Sequence, residues 1–249
     1  MSAAPIAAVA VVVPVRDEEE RLERCLCGVQ TTLAALAGRV SVRVVIALDG
    51  STDGSAQIAA RWPFDRIELG GSGVGRARAA GVDAALAGLG AASRDRVWIA
   101  NTDADSHVPR DWLTRQLELA DDGWDAVLGT VRPDPLDLPP GLRGTALAEP
   151  ARSGSPVYGA NLGVRASSYE LVGGFAPVRE HEDARLVASL RAAGARVTSD
   201  YDLPVLTSGR SVGRAPGGYA GYLNRMAMLA AWPDEDPPID EVCAATAST

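Results

Sequence analysis

Short, wholly apolar runs alternate with segments whose apolar residues recur at helical spacing, and this alternation continues through most of the chain. The first run, "AVAVVVPV", has the length of a buried strand, and Leu22, Leu26, Val29, Leu33 and Leu36 then follow at steps of four, three, four and three. That spacing puts one apolar stripe on a helix. A second strand, "RVVIAL", ends at Asp49 and the turn "DGSTDGS", where Asp53 or Ser51 can cap a helix through "AQIAARW". "RIEL" predicts a short third strand. After "GGSGVG" comes a helix, "RARAAGVDAALAGL", then a strand, "RVWIAN", followed at once by the acidic turn "NTDADS".

The same rhythm continues with a helix from about Trp112 to Asp121 and a strand, "DAVLGTV". "RPDPLDLPPGLRG" is proline-rich and reads as a loop, because regular signals resume on both sides. "VYGANLGVR" predicts a strand, "EDARLVASLRAAG" a helix stopped by glycine, "ARVTSD" a strand, and "GGYAGYLNRMAMLAAW" a last helix. From Pro233 the chain is acidic, proline-containing and aperiodic, so residues 233–249 read as a mobile tail on one domain of residues 1–232. Strands alternating with helices predict an α/β fold: a Rossmann-like, mostly parallel sheet covered by helices on both faces.

Composition narrows the function. A chain of 249 residues with 47% hydrophobic content can bury one good core, and a formal net charge of -8 argues against general nucleic-acid binding, which needs a basic face. The early apolar run lacks a basic leader, and no stretch is long enough to span a bilayer. Cys25 and Cys27 point to different sides of a helix and Cys243 lies in the tail, so neither a disulfide framework nor a zinc site emerges. A reducing, cytoplasmic setting is the expectation.

Candidate chemistry collects where parallel strands end, the usual place for ligands in open α/β sheets. Asp103 and Asp105, two apart in extended chain, project to the same side and crowd two negative charges unless a cation neutralises them. Hard oxygen ligands suit Mg²⁺ or Mn²⁺ together with substrate phosphates. An Asx turn followed by a cap at Ser106 is the structural alternative. Asp17 to Glu20 after the first strand and Asp49 after the second fall at neighbouring strand ends, although acids also favour the first turn of a helix. "GGSGVGRA" approaches a phosphate-binding loop, but Arg76 and Ala77 replace its lysine and hydroxyl.

Taken in order, "VVVPVRDEEERLERCL", "VVIALDGSTDGS", "GVGRARAAG", "NTDADS" and "GANLGVRASSYELVGGF" with "HEDARL" resemble the motifs of family 2 glycosyltransferases with the GT-A fold, over residues 9–200 or so. The resemblance implies transfer of a sugar from a nucleoside diphosphate sugar, of UDP or GDP type, to an acceptor hydroxyl. It implies that Pro14, Val15 and Glu18 border the nucleoside, that Asp49 accepts a hydrogen bond from the base, and that Arg78 lies beside the base. Asp103 is then expected near the ribose and metal, and Asp105 on a Mn²⁺ or Mg²⁺ ion bridging the diphosphate. Of Glu182 and Asp183, which open a helix, the resemblance favours Asp183 as the general base of an inverting transfer, with Glu182 next. His181 reads as a pocket wall or surface residue, with a metal-ligand role as the lesser alternative.

Arg210 and Arg214, in glycine-rich chain, suit a mobile cationic loop closing over a diphosphate, or else a plain surface loop. Tyr158 and Asn161 suit either acceptor contacts or structure. Arg16, Leu48 and Ala79 depart from the family's commonest residues and put nucleotide preference in question. A nucleotidyltransferase is the rival enzyme, but its early glycine-rich phosphate loop is missing at residues 13–25. A non-catalytic nucleotide-sugar binder is the rival from another class. The expected partners are the donor and a hydroxyl-bearing acceptor, more in keeping with a small molecule than an extruded membrane polymer.

Overall fold

The computed structural model describes residues 4–90, 92–135, 137–138 and 157–210. Seven strands form one sheet in the order β3, β2, β1, β4, β6, β5, β7. They are β1 (Ala8–Val15), β2 (Ser41–Asp49), β3 (Asp65–Leu69), β4 (Val97–Asn101), β5 (Ala126–Pro133), β6 (Leu162–Arg165) and β7 (Val197–Thr207). Only β6 runs against its neighbours β4 and β5; the other pairs are parallel. The chain is therefore an α/β protein with a mostly parallel sheet, as the alternation of patterns implies.

Every residue of β1 is buried, because the strand lies between two layers and must be apolar on both faces. Val9, Val11, Val13 and Val15 pack with Leu22, Leu26 and Val29 of α1 (Leu22–Ala35) and with Trp112 and Leu113 of α4 (Trp112–Asp121). A short α2 (Ser55–Ala59) joins the same layer. Ala8, Ala10 and Val12 face Val82, Ala85 and Leu86 of α3 (Val74–Gly88), with Tyr169 of α5 (Ala166–Leu171) and Leu186 and Leu190 of α6 (Glu182–Ala192) beyond them. Small residues face small residues here: a Cβ on Gly81 would come within 2.5 Å of Val12. α3 can thus lie close over β1 and carry Arg78 toward the strand ends.

Four expectations change. "VYGANLGVR" is not one strand: Gly159–Asn161 make a 3₁₀ turn and only Leu162–Arg165 extend. The cause is Asn161, whose carboxamide accepts from Trp112 Nε1 at 2.8 Å and donates to the Thr130 carbonyl at 2.9 Å. This buried residue is a structural brace, the second of its two readings. The helix expected over "AQIAARW" shrinks to Ser55–Ala59, the strand over "ARVTSD" extends to Thr207, and "ASSYEL" forms a helix that periodicity over six residues could not reveal. The last helix, Arg214, Cys243 and the tail lie outside the described residues.

Candidate active site

The loops after β1 and β2 hold each other. Asp17 N–H donates to Ser51 Oγ at 3.1 Å, Glu18 N–H to Ser55 Oγ at 2.9 Å and Glu19 N–H to Asp53 at 2.9 Å. In return, Thr52 N–H donates to Asp17 at 2.7 Å and Gly54 N–H to the Glu19 carboxylate at 2.7 Å. Asp53 also takes the Ser55 N–H at 3.0 Å, but it stands one residue ahead of the cap position of α2, which is Gly54 and carries no side-chain cap, and Ser51 serves Asp17, so neither expected residue is the cap. The acids of "RDEEE" are therefore more than a dipole-stabilised first turn. Asp17 even holds a left-handed backbone, φ 47°, that this reciprocal lacing maintains.

Asp49 closes β2 and is buried. Its Oδ1 accepts from Ser72 N–H at 2.7 Å and Ser72 Oγ at 3.1 Å, and Oδ2 from Gly73 N–H at 2.7 Å. A side-chain carboxylate of the protein itself therefore takes up the N–H groups of the glycine-rich turn just ahead of α3, donors that a phosphate would claim in a phosphate-binding loop. That explains how "GGSGVG" can look like such a loop without being one. Pro14 and Val15 end β1 beside it, in register with Ala47 and Leu48.

The acidic turn differs most from its expected form. β4 stops at Asn101, and the chain bends so that Ser106 N–H donates to the Asp103 carbonyl at 3.0 Å. Asp103 and Asp105 thus leave a turn, not an extended strand, and each meets a different arginine. Asp103 pairs with Arg78, whose Nη1 also reaches Glu182 Oε1 at 2.6 Å. Asp105 Oδ2 accepts from Arg210 Nη2 at 2.9 Å, and the same guanidinium contacts Glu18 at 2.8 and 3.2 Å. Ser106 Oγ bonds Thr207 Oγ1 at 2.9 Å rather than capping a helix.

Arg210 arrives from the far edge of the sheet because His107 and Leu206 form an antiparallel bridge, N···O 2.7 and 3.1 Å, that ties the acidic turn to the end of β7. No spacing in the sequence announces that bridge. Beneath the turn, Cys25 Sγ lies 3.2 Å from the Asp103 carbonyl, and burial, with the charges of Asp105 and Asp103, pushes its thiol far up. It is an inert floor, and a site neighbour that a lone helical cysteine could not signal.

Electrostatics follow from this packing. Burial, then the charges of Asp103 and Glu18, push Asp105 up to about 6 against the pull of Arg210. Burial likewise raises Glu182 despite Arg78. Arg78, enclosed and stacked 5.8 Å from the Phe175 ring, is held firmly protonated: Asp103 and Glu182 outweigh the cost of its burial. Its guanidinium lies where a side chain on Gly159 would stand, so the glycine in "YGAN" leaves the room.

At the start of α6, Asp183 is partly exposed and accepts from Gly159 N–H at 2.7 Å and Ala184 N–H at 2.7 Å. Glu182 beside it is buried. His181 is exposed, with φ 61°, and faces Glu180 at 4.0 Å; among the described residues it joins no cluster of metal-ligating side chains. The structure thus brings Glu18, Asp49, Asp103, Asp105, Arg78, Glu182, Asp183 and Arg210 to one end of the sheet, with Pro14 and Val15 at its edge. Arg214 is not among the described residues.

A mostly parallel sheet with one reversed strand, gathering acids and arginines at its strand ends, is the architecture of the GT-A type of nucleotide-sugar glycosyltransferase. The chain belongs to glycosyl transferase family 2, whose model matches residues 10–146. No curated protein matches the sequence significantly. Among solved structures, the mannosyltransferase PcManGT from Pyrobaculum calidifontis, in complex with GDP-Man and Mn²⁺, superposes with a TM-score of 0.63 at 20% identity, over 98% of this chain and 70% of that one. S. aureus TarS 1–349 with UDP-GlcNAc gives 0.62 at 14% identity, over 90% and 66%. M. tuberculosis glucosyl-3-phosphoglycerate synthase, with Mn²⁺, UDP and glucosyl-3-phosphoglycerate, gives 0.58 at 16%, over 90% and 78%. The family match ends before Glu182, Asp183 and Arg210.

Proposed function

We propose that this chain moves a sugar from a UDP- or GDP-type nucleoside diphosphate sugar to a hydroxyl of a small-molecule acceptor, with inversion and with Mn²⁺ or Mg²⁺. The observation that carries the reading is the meeting of Glu18, Asp103 and Asp105 with Arg78 and Arg210 at the strand ends. So dense a set of buried charges is costly unless it serves a ligand of mixed charge. The GDP-Man and Mn²⁺ bound by the similar mannosyltransferase, and the UDP and Mn²⁺ bound by the similar synthase, support the donor class.

Among the described residues no three acids or histidines form a ready-made metal cage, so a divalent cation here would rest on one or two carboxylates and take its other oxygens from the diphosphate. Among the described residues Asp105 Oδ1 has long hydroxyl contacts, 3.4 Å to Ser106 and 3.5 Å to Thr207, and its raised proton affinity marks negative charge in need of a partner. Asp105, with Asp103, would hold the ion, which supplies charge stabilisation to the departing diphosphate. Pro14, Val15 and Glu18 border the nucleoside, and Asp49 faces the base with Oδ2, which takes one N–H where Oδ1 takes two donors. Arg78 backs the wall beside the base, and Arg210 and Arg214 bind the diphosphate.

Asp183 removes the proton from the acceptor hydroxyl. It is the accessible member of the acidic pair, and two N–H donors fix its carboxylate, whereas Glu182 is enclosed and paired. A base on the side opposite the leaving group yields inversion. Free Cys25 and Cys27 agree with a reducing, cytoplasmic setting. No helix among the described residues is long and apolar enough to cross a membrane.

The test is a thermal-shift screen against UDP, GDP, CDP, dTDP and ATP, each with and without Mn²⁺. A metal-dependent rise with one diphosphate, lost in Asp105→Asn, is the expected result. No rise at millimolar ligand, or a rise indifferent to metal and to Asp105, would remove the reading.

A further inference from the structure

Arg210 Nη2 lies between Glu18 Oε1 at 2.8 Å and Asp105 Oδ2 at 2.9 Å, and Nη1 takes the second Glu18 oxygen at 3.2 Å. Both carboxylates are largely shielded, their side chains 5% and 15% exposed, so this guanidinium is a counter-charge that they share. The chain on which it rides is anchored: Ser208 Oγ and Gly209 N–H donate to Asp137 at 2.9 and 3.1 Å. Arg210 can therefore change partners by moving its side chain alone.

A divalent cation on Asp105 and a guanidinium on the same carboxylate repel each other. A diphosphate offers the guanidinium a new planar, bidentate partner, and offers the cation further oxygens. We infer that Arg210 is an internal counter-ion competing with the divalent cation for Asp105, and that the donor's diphosphate, by drawing Arg210 away, opens the metal site. The inference rests on the proposed role of Asp105 in holding the metal and adds to it an order of events. Metal alone binds weakly, because only the fraction of molecules with Arg210 displaced is competent. Metal and diphosphate then favour each other, and by linkage each raises the other's affinity by the same factor.

A nucleoside monophosphate, with one phosphate to offer, draws Arg210 less well. The acid cluster thereby discriminates between the donor's diphosphate and shorter nucleotides before any sugar is read, and Arg210 becomes a specificity-determining residue.

The experiment is a calorimetric titration of the full chain with Mn²⁺ alone, with the same titration repeated by electron paramagnetic resonance. Arg210→Ala is expected to bind Mn²⁺ alone about tenfold more tightly than the unaltered chain, a coupling of ordinary size. Arg210→Gln, which keeps a donor for Glu18 without the charge, is expected to match it. Arg61→Ala, which removes an exposed cation that pairs with Glu23 of α1 at 2.6 Å and not with Asp105, is expected to change little. In the unaltered chain, UDP or GDP raises Mn²⁺ affinity far more than UMP or GMP, and Arg210→Ala narrows that gap. Equal or weaker Mn²⁺ binding in Arg210→Ala and Arg210→Gln, with circular dichroism unchanged, overturns the inference while the metal role of Asp105 stands. Undiminished Mn²⁺ binding in Asp105→Asn with Arg210→Ala places the metal elsewhere, and overturns the underlying reading and the inference together.

Discussion

Arg78 and Glu182 form an ion pair of 2.6 Å with side chains only 3% and 5% exposed, joining α3 to the first turn of α6. Removing one member of a buried pair leaves the other without compensation, at about 3–5 kcal/mol. The two removals are not equivalent here. Glu182→Gln leaves Arg78 its second partner, Asp103, whereas Arg78→Gln strands both carboxylates. Chemical denaturation is therefore expected to rank Arg78→Gln as the more damaging, with Glu182→Gln at or below the low end of that range. The double variant should cost less than the sum. Equal single losses that add fully would show the pair to be independent.

This network also marks the limit of what the sequence makes legible. Most of the strands and the longer helices of both flanking layers follow from apolar periodicity, because burial on one face or two leaves a direct trace in residue type. The acids at the ends of β1, β2 and β4 are equally visible, since a parallel sheet brings those ends together. Pairing is not visible. Arg78 meets Glu182, 104 positions away, and Arg210 meets Glu18, 192 positions away, through the closeness of α3 over β1 and the bridge from His107 to Leu206. Alternation of side chains in an extended segment correctly puts acids two apart on one side, but the turn at Ser106 cancels that premise. Asn161 shows the converse: as a strand residue it could have faced an acceptor, yet Trp112 and Thr130 claim it.

Asp105 gives a pH dependence whose sign can be worked out. Its carboxyl rises from an ordinary 3.8 to about 6, through burial and the neighbouring charges of Asp103 and Glu18. Between those values the folded chain holds a proton that the unfolded chain releases. The stability Asp105 contributes is therefore fully present below 3.8 and is lost as pH rises through about 6. Asp105→Asn lacks this dependence. With metal removed by chelator, melting curves from pH 4 to 8 should show the variant gaining on the unaltered chain by on the order of 2 kcal/mol. A constant difference across that range would mean that Asp105 is not perturbed.

Asp49 makes a separate contribution through the α3 N-terminus. Its carboxylate satisfies the N–H groups of Ser72 and Gly73 as well as the Ser72 hydroxyl, and Gly73 holds φ 96° to present its N–H. Asp49→Ala leaves two N–H groups unpaired at a positive helix end, and an expected loss of about 1–3 kcal/mol follows. Asp49→Asn, which keeps one acceptor oxygen, should lose less. If the same variants also shift preference among UDP, GDP and CDP in the thermal screen, Asp49 both builds the loop and faces the base. Unaltered preference would confine it to building the loop.

Asp183 and Glu182 are adjacent acids with opposite surroundings, and the proposed division of roles rests on that difference. Asp183 Oδ2 is fixed by Gly159 N–H and Oδ1 by Ala184 N–H, both at 2.7 Å, with the carboxylate partly open to solvent. A base must reach its substrate's proton, and a carboxylate sealed against a guanidinium cannot. Asp183→Asn is expected to keep metal-dependent binding of the diphosphate while lowering kcat about 10²–10⁴-fold, the usual range for losing a general base. Glu182→Gln should instead reveal itself first in stability. The deciding measurement is single-turnover transfer to a hydroxyl acceptor, run beside a binding titration for each variant. Full turnover in Asp183→Asn with intact binding would move the base elsewhere. Loss of binding as well as turnover would mean that Asp183 organises the donor site rather than taking the proton.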